Sequence, residues 1–288
     1  MKKLLWLALL CVAFQCPAQL LWKVSGGDLP KPSYVFGTFH AAPGKFIDKV
    51  PGLQQVIHSV DAIMVEVREA EMNDEANQAL SVDAMYAPAD STLDVVFSPE
   101  EYREVDSLLR SATDDSISLN LYDGYKPIVI TQSIANEIFN FLMDSNSDGT
   151  EILDAAVERA VTALGKPSYS LDTFEYQLQL LYQIPLREQA DDLIELLTNY
   201  EGAFYEASRL AIAYFMQDLD AVTKVAGNSP TEMDFVDCAK RNRAWVPKIL
   251  NLARKQSVLV SVGAAHLGDP ETGIIHLLRK EGYTVEPF

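Results

Sequence analysis

Tyr34-Val35-Phe36-Gly37-Thr38-Phe39-His40 and Val260-Ser261-Val262-Gly263-Ala264-Ala265-His266 share one pattern, an apolar run that ends in Gly-x-x-His. A β-branched and aromatic run stopped by glycine reads as a buried strand breaking into a loop. Each imidazole is thereby expected just beyond the carboxyl end of a strand, where open α/β sheets bind their ligands.

The repetition extends outward from these two motifs. After His40 come a polar loop, an amphipathic stretch from Gly52 to Val60, and the strand-like Ala62-Ile63-Met64-Val65-Glu66-Val67. After His266 come Gly268-Asp269-Pro270, then Ile274, Leu277 and Leu278 at helical spacing, a Gly282 stop, and the strand-like Tyr283-Thr284-Val285-Glu286. Both halves therefore read strand, Gly-x-x-His, loop, helix, strand. Between them, from about residue 70 to about 255, the pattern is largely helical, with no linker long enough to separate independent domains. Ser98-Pro99-Glu100-Glu101 is a capping box with proline at the first helical position. Further helices are expected at 128–142, 150–164, 189–200, 203–219 and 233–253. The fold class expected is α/β: a duplicated strand-Gly-x-x-His-helix-strand core built by the two chain ends, with a large helical insertion capping the sheet.

The N-terminus pairs Lys2 and Lys3 with an apolar segment from Leu4 to Phe14 and then Cys16-Pro17-Ala18. This is the pattern of a secretory signal peptide ending at Ala18. The apolar run falls short of the roughly 20 residues that span a bilayer. A lipoprotein reading would acylate Cys16, although the bulky Phe14-Gln15 before it argues against that. The reading is a periplasmic or secreted protein, residues 19–288, with no stable membrane span after cleavage. Cleavage removes Cys11 and Cys16 and leaves Cys238, so no intramolecular disulfide is expected. It also moves the formal net charge from −18 to −20. A surface this acidic repels phosphate backbones, which excludes nucleic acid as a partner.

Glu66 is the first candidate for chemistry. An unpaired carboxylate inside an apolar strand costs several kcal/mol, so a cation, a metal or a histidine should compensate it. His40 and His266 lie in matched settings at the same sheet edge. Two imidazoles and a carboxylate suit a divalent transition metal with open coordination positions, the arrangement that activates water in metallohydrolases. His58 and His276 fall on the polar sides of their helices. Asp144-Ser145-Asn146-Ser147-Asp148-Gly149 opens like a calcium loop, but Ala155 stands where an EF-hand needs its bidentate glutamate, so it reads as a turn. Asp172 and Glu175 form an Asp-x-x-Glu capping arrangement, which leaves Asp172 a secondary place at the site. Arg241, in Lys240-Arg241-Asn242-Arg243, is a helical cation able to meet a substrate carboxylate or an oxyanion. Cys238 reads as core rather than nucleophile.

Leu21-Trp22-Lys23-Val24, the two Gly-x-x-His motifs, Glu66, Gly165-Lys166-Pro167, Arg241-Asn242-Arg243 and Gly282-Tyr283-Thr284-Val285 together resemble the TraB/GumN proteins. That family is related to the Tiki metalloproteases and more distantly to erythromycin-esterase-like and ChaN-like proteins. The resemblance covers essentially the whole mature chain. It implies metal-dependent hydrolysis of a peptide or protein substrate, with Mn, Co or Zn held by His40, Glu66 and His266 and with Arg241 as electrostatic partner. One position departs from the pattern: Asp172 stands in Leu171-Asp172-Thr173 where the family commonly has glutamate, which puts activity in question if the longer carboxylate is catalytic. Two alternatives stay open. One is a metal-independent, esterase-like hydrolase with His40 as general base oriented by Glu66; the other is a periplasmic metal- or haem-binding protein without turnover.

Overall fold

The computed structural model describes residues 19–143, 151–227 and 235–288. Residues 1–18, read above as a signal peptide, and Asp144–Gly149, read above as a turn, lie outside the described residues. Six strands form one sheet: β1 (Leu21–Ser25), β2 (Ser33–Thr38), β3 (Ala62–Val65), β4 (Ser168–Ser170), β5 (Val258–Gly263) and β6 (Thr284–Pro287). Their order is β4-β3-β5-β2-β1-β6. The four strands from β4 to β2 run parallel, while β1 pairs antiparallel with both β2 and β6.

The central pair explains the continuous apolar runs. β2 and β5 each have neighbours on both sides, and their residues from Val35 to Thr38 and from Val258 to Val262 are buried. A parallel strand covered on both faces has no solvent face on which to alternate. Both halves of the duplicated core form as expected. After β2 the chain makes the helix Leu53–Ser59 and returns as β3; after β5 it makes the helix Ile274–Lys280 and returns as β6. β3 lies on the far side of β5 from β2, and β6 on the far side of β2 from β5, so the two crossovers run in opposite directions. Right-handed connections then put their helices on opposite faces of the sheet. The helix Leu153–Thr162 packs beside the first of them, and the helix Phe235–Ala253 beside the second.

Gly37 and Gly263 pair near the ends of these strands, Gly37 opposite Val262 and Gly263 opposite Thr38. The reason for Gly37 is close approach rather than a sharp turn: a Cβ there would stand 3.0 Å from the Cα of Ala264 and 3.1 Å from Leu267. The turn of the second motif thus rests directly on the glycine of the first.

The helical segment between the halves supplies a second apolar cluster, in which Leu93, Phe97, Val105, Leu109, Ile130, Ile134, Ile138, Leu193 and Leu197 are buried. The Ser98 capping box is present and opens the helix Pro99–Ala112. One expected helix divides: 203–219 is the end of Tyr200–Phe215 and the start of Leu219–Ala226, because Gln217 takes a left-handed φ of 57° and Asp218 caps the second helix. The segment also returns to the sheet, contributing β4 and the helix Leu153–Thr162 to the main core.

Candidate functional site

Four parallel strands end side by side, and each delivers one polar side chain just past its last residue. Asp172 follows β4, Glu66 follows β3, His266 follows β5 and His40 follows β2. Glu66 had been expected within its strand; β3 stops at Val65, which places the carboxylate at the mouth of the sheet. Arg241 comes from the helix Phe235–Ala253 and joins three of the four.

Arg241 is the electrostatic centre of this edge. Its Nε donates to Asp172 Oδ2 at 2.9 Å, its Nη2 forms an ion pair with Glu66 Oε2, and its Nη1 lies 3.2 Å from His266 Nε2. The guanidinium also stacks over Trp245, 4.5 Å from the ring centroid. Burial disfavours this cation, and Glu66 and Asp172 outweigh burial to raise its pKa.

Glu66 fills its second oxygen from the backbone: Gly263 N–H donates to Oε1 at 2.9 Å. Burial opposes its ionisation, yet His266 when protonated, Arg241, His40 and the Gly263 amide prevail and hold the pKa at about 2. His266 is nearly inaccessible at 4 % exposure, and burial pushes its pKa down to about 4 against the pull of Glu66. At neutral pH it is uncharged, so the working counter-ion of Glu66 is Arg241.

The tautomer of His266 follows from Asn242. That amide donates through Nδ2 to the carbonyls of His266 at 3.0 Å and Thr272 at 2.9 Å, which turns Oδ1 toward His266 Nδ1 at 2.7 Å. The proton therefore sits on Nδ1, and the lone pair on Nε2 faces Arg241 and Cys238. Trp245 packs on the imidazole with centroids 4.5 Å apart, while its Nε1 donates to Asp172 Oδ1 at 2.7 Å.

The capping expectation for Asp172 is corrected. Thr173 is the N-cap of the helix Phe174–Tyr182, accepting from the Tyr176 N–H at 3.2 Å. Both carboxylate oxygens of Asp172 are engaged by Arg241 and Trp245 instead, which places the residue in the site. Gln177 on the same helix donates to both Asp172, at 3.2 Å, and Glu66, at 3.4 Å.

His40 stands apart, with 71 % of its side chain exposed. Its Nδ1 lies 3.2 Å from Asp154 Oδ2, while Asp154 Oδ1 accepts from Thr38 Oγ1 at 2.6 Å. Burial of Asp154 is outweighed by His40 and Thr38, and its pKa is lowered. The carboxylate beside His40 is thus Asp154 rather than Glu66. Asp154 carried no sequence signal, since an aspartate in the first turn of an amphipathic helix already has a reason to be there. His58 is exposed and His276 half-buried on their helices.

The donor states at this edge suit a metal ion. Metal ligation needs ionised carboxylate and neutral imidazole, which are the states of Glu66 and His266 at neutral pH. Asp172 and Glu66 share a single guanidinium while Asp154 lies beside His40, so carboxylates outnumber the fixed cation at this edge. The positions are less complete. Among the described residues no three His, Cys, Asp or Glu side chains converge on one point that an ion could fill, and the Arg241 guanidinium stands between Glu66 and His266.

The sequence profile of the TraB/PrgY/gumN family matches residues 20–287. The chain belongs to that family. In this TraB/PrgY/gumN protein the matched span runs from β1 into β6 and contains His40, Glu66, Asp154, Asp172, Arg241 and His266. No curated protein and no solved structure matches the chain. Among the described residues no helix is long and apolar enough to cross a membrane.

Proposed function

We propose that the chain is an exported metal-dependent hydrolase, with peptide bonds as its first substrate class. The observation that carries the reading is the pair of opposed protonation states on adjacent strands, an ionised Glu66 beside a neutral His266 at a negatively charged sheet edge. His40, Glu66 and His266 would hold Mn, Co or Zn. Such an ion, when bound, polarises a carbonyl and activates water.

The chain's own residues have defined parts in this reading. Asp154 lies against the Nδ1 side of His40, the carboxylate-histidine support that orients metal ligands. Asn242 does the same for His266. Arg241, once it releases Glu66, offers N–H donors to the charge that develops on a carbonyl oxygen. Glu66 either ligates or accepts the proton of the attacking water. Asp172 and Gln177 hold Arg241 and Glu66 in place, so aspartate here serves as a positioning group.

A second reading rests on Asp154. A His40 oriented by Asp154 is itself a general base, which would allow hydrolysis without metal. Metal analysis of the purified mature chain, combined with peptide hydrolysis before and after chelation, separates the two. The metal reading expects a stoichiometric ion lost from His40→Ala and from His266→Ala, and activity abolished by chelator. Variants that hold as much metal as the unmodified chain sink it; hydrolysis that survives chelation selects the His40 base. Retention of ligand with no cleavage of any peptide or ester would select the binding-protein alternative.

A further inference from the structure

We propose that the outer edge of β4 receives an extended peptide segment as a seventh strand and leads it to the row of Asp172, Glu66 and His266. The inference rests on the peptide-substrate reading above and deepens it by naming the conformation in which substrate is held.

β4 ends the sheet on one side, with β3 as its neighbouring strand. The Leu171 N–H donates to the Val65 carbonyl at 2.8 Å, and the Pro167 carbonyl accepts from the Ile63 N–H at 3.0 Å. Every second residue of a parallel strand bonds to the same neighbour, so Tyr169 also faces β3 while the backbone groups of Ser168 and Ser170 face outward. Among the described residues nothing pairs with the N–H or C=O of these two serines. Their hydroxyls are engaged elsewhere: Ser168 Oγ donates to Glu158 at 2.7 Å, and Ser170 Oγ accepts from the Arg68 N–H and donates to Glu71, both at 3.1 Å. Backbone donors and acceptors therefore stand unpaired at strand spacing, the template used for strand addition.

The opposite edge is guarded. β6 carries Glu286 and Pro287, the charge and the proline that discourage an incoming strand. β4 reads Ser168-Tyr169-Ser170 and carries neither. Tyr169 is 39 % exposed and offers an aromatic surface to a side chain of the added strand.

Position selects a substrate segment as the occupant. Asp172 follows β4 within two residues and is held by Arg241 and Gln177. Strands lie about 4.8 Å apart, so a seventh strand runs about 10 Å from β3 and about 14 Å from β5, whose ends carry Glu66 and His266. Extended chain covers about 3.4 Å per residue, so the bond to be cleaved lies about three or four residues beyond the paired ones. A dipeptide or tripeptide is too short to hold the edge and reach the row together.

The test is amide hydrogen exchange of the mature chain, read residue by residue by NMR. The probe is a hexapeptide of alternating valine and threonine, added with chelator so that it is not consumed. In the free chain the Ser168 and Ser170 amides should exchange faster than those of Tyr169 and Leu171. Peptide at about nine times its Kd should slow the two serine amides about tenfold by mass action and leave Tyr169 and Leu171 nearly unchanged. The same hexapeptide with N-methylated amides should give no protection. Ser168→Pro removes one outward N–H, spares the β3 ladder and should weaken binding several-fold, with circular dichroism confirming the fold. Serine amides already slow in the free chain, or unmoved at every peptide concentration, would overturn the assignment. Protection that grows with protein concentration alone, together with a dimer in sedimentation, would give the edge to a second copy and overturn it too. Peptide protection with no hydrolysis of any peptide by the metal-supplied chain leaves the edge assignment standing and removes the hydrolase reading; hydrolysis without protection does the reverse.

Discussion

His266 is uncharged in the folded protein at neutral pH, with a pKa pushed down to about 4 from an ordinary 6.5. The unfolded chain therefore binds the histidine proton more readily than the folded one. The contribution of His266 to stability is complete above pH 6.5 and is lost as pH falls through 4. Glu66, held at about 2 from 4.5, adds a second loss between pH 4.5 and 2. Below pH 4 a protonated His266 itself becomes a counter-ion for Glu66, so the two losses fall in sequence. Urea unfolding of the metal-free protein across this range should show declining stability from pH 6.5 downward. His266→Gln should flatten the upper part of the decline, and an unchanged profile would mean the imidazole is not buried neutral. Arg241 offers a sharper test. Its removal leaves Glu66 and Asp172 buried without a cation, and Arg241→Ala should cost about 3–5 kcal/mol in denaturant unfolding. Arg241→Lys should recover little, because one ammonium cannot span Asp172, Glu66 and His266 with three separate nitrogens.

The two Gly-x-x-His elements look alike in sequence but use their glycines differently. A Cβ on Gly37 would press on Ala264 backbone at 3.0 Å, whereas one on Gly263 would meet Glu66 Oε1 at 3.5 Å and His266 at 3.7 Å, ordinary contact distances. Gly37→Ala should therefore cost about 1–3 kcal/mol, the usual effect of overpacking, and Gly263→Ala clearly less. Denaturant midpoints of the two variants check this order, and equal losses would count against the close-approach account. Element type was legible wherever the hydrophobic period was strong. The capping box of Pro99–Ala112, the helix Leu53–Ser59 and the strands β2 and β5 fell where the pattern put them. The Tyr200–Phe215 and Leu219–Ala226 break was not legible, because Gln217 carries the left-handed turn without the glycine that would have announced it. Asp172 was misread for a related reason: an acidic residue beside a helix start has a local explanation, and only Arg241 and Trp245 reveal the nonlocal one.

Across the whole molecule, two apolar clusters divide the work of stability. One surrounds the sheet and underlies the carboxyl edge, and the other lies among the helices between residues 93 and 197. Leu193→Ala, in the second cluster, should lower stability by about 2–5 kcal/mol. Fluorescence of Trp22 and Trp245, both in the first cluster, should be retained, and its loss together with the helical circular dichroism would show that the clusters act as one unit. What the chain's composition and periodicity established alone was the α/β class, the paired halves and the nomination of His40, Glu66 and His266, because hydrophobic period and glycine placement are local and repeat along the chain. Only the tertiary structure decided that Asp172, Glu66, His266 and His40 form one row, that Arg241 joins three of them, and that Asp154 rather than Glu66 holds His40. Those pairings join residues up to 175 positions apart in the chain, and Coulomb attraction between buried groups depends on separation in space, which no local pattern records.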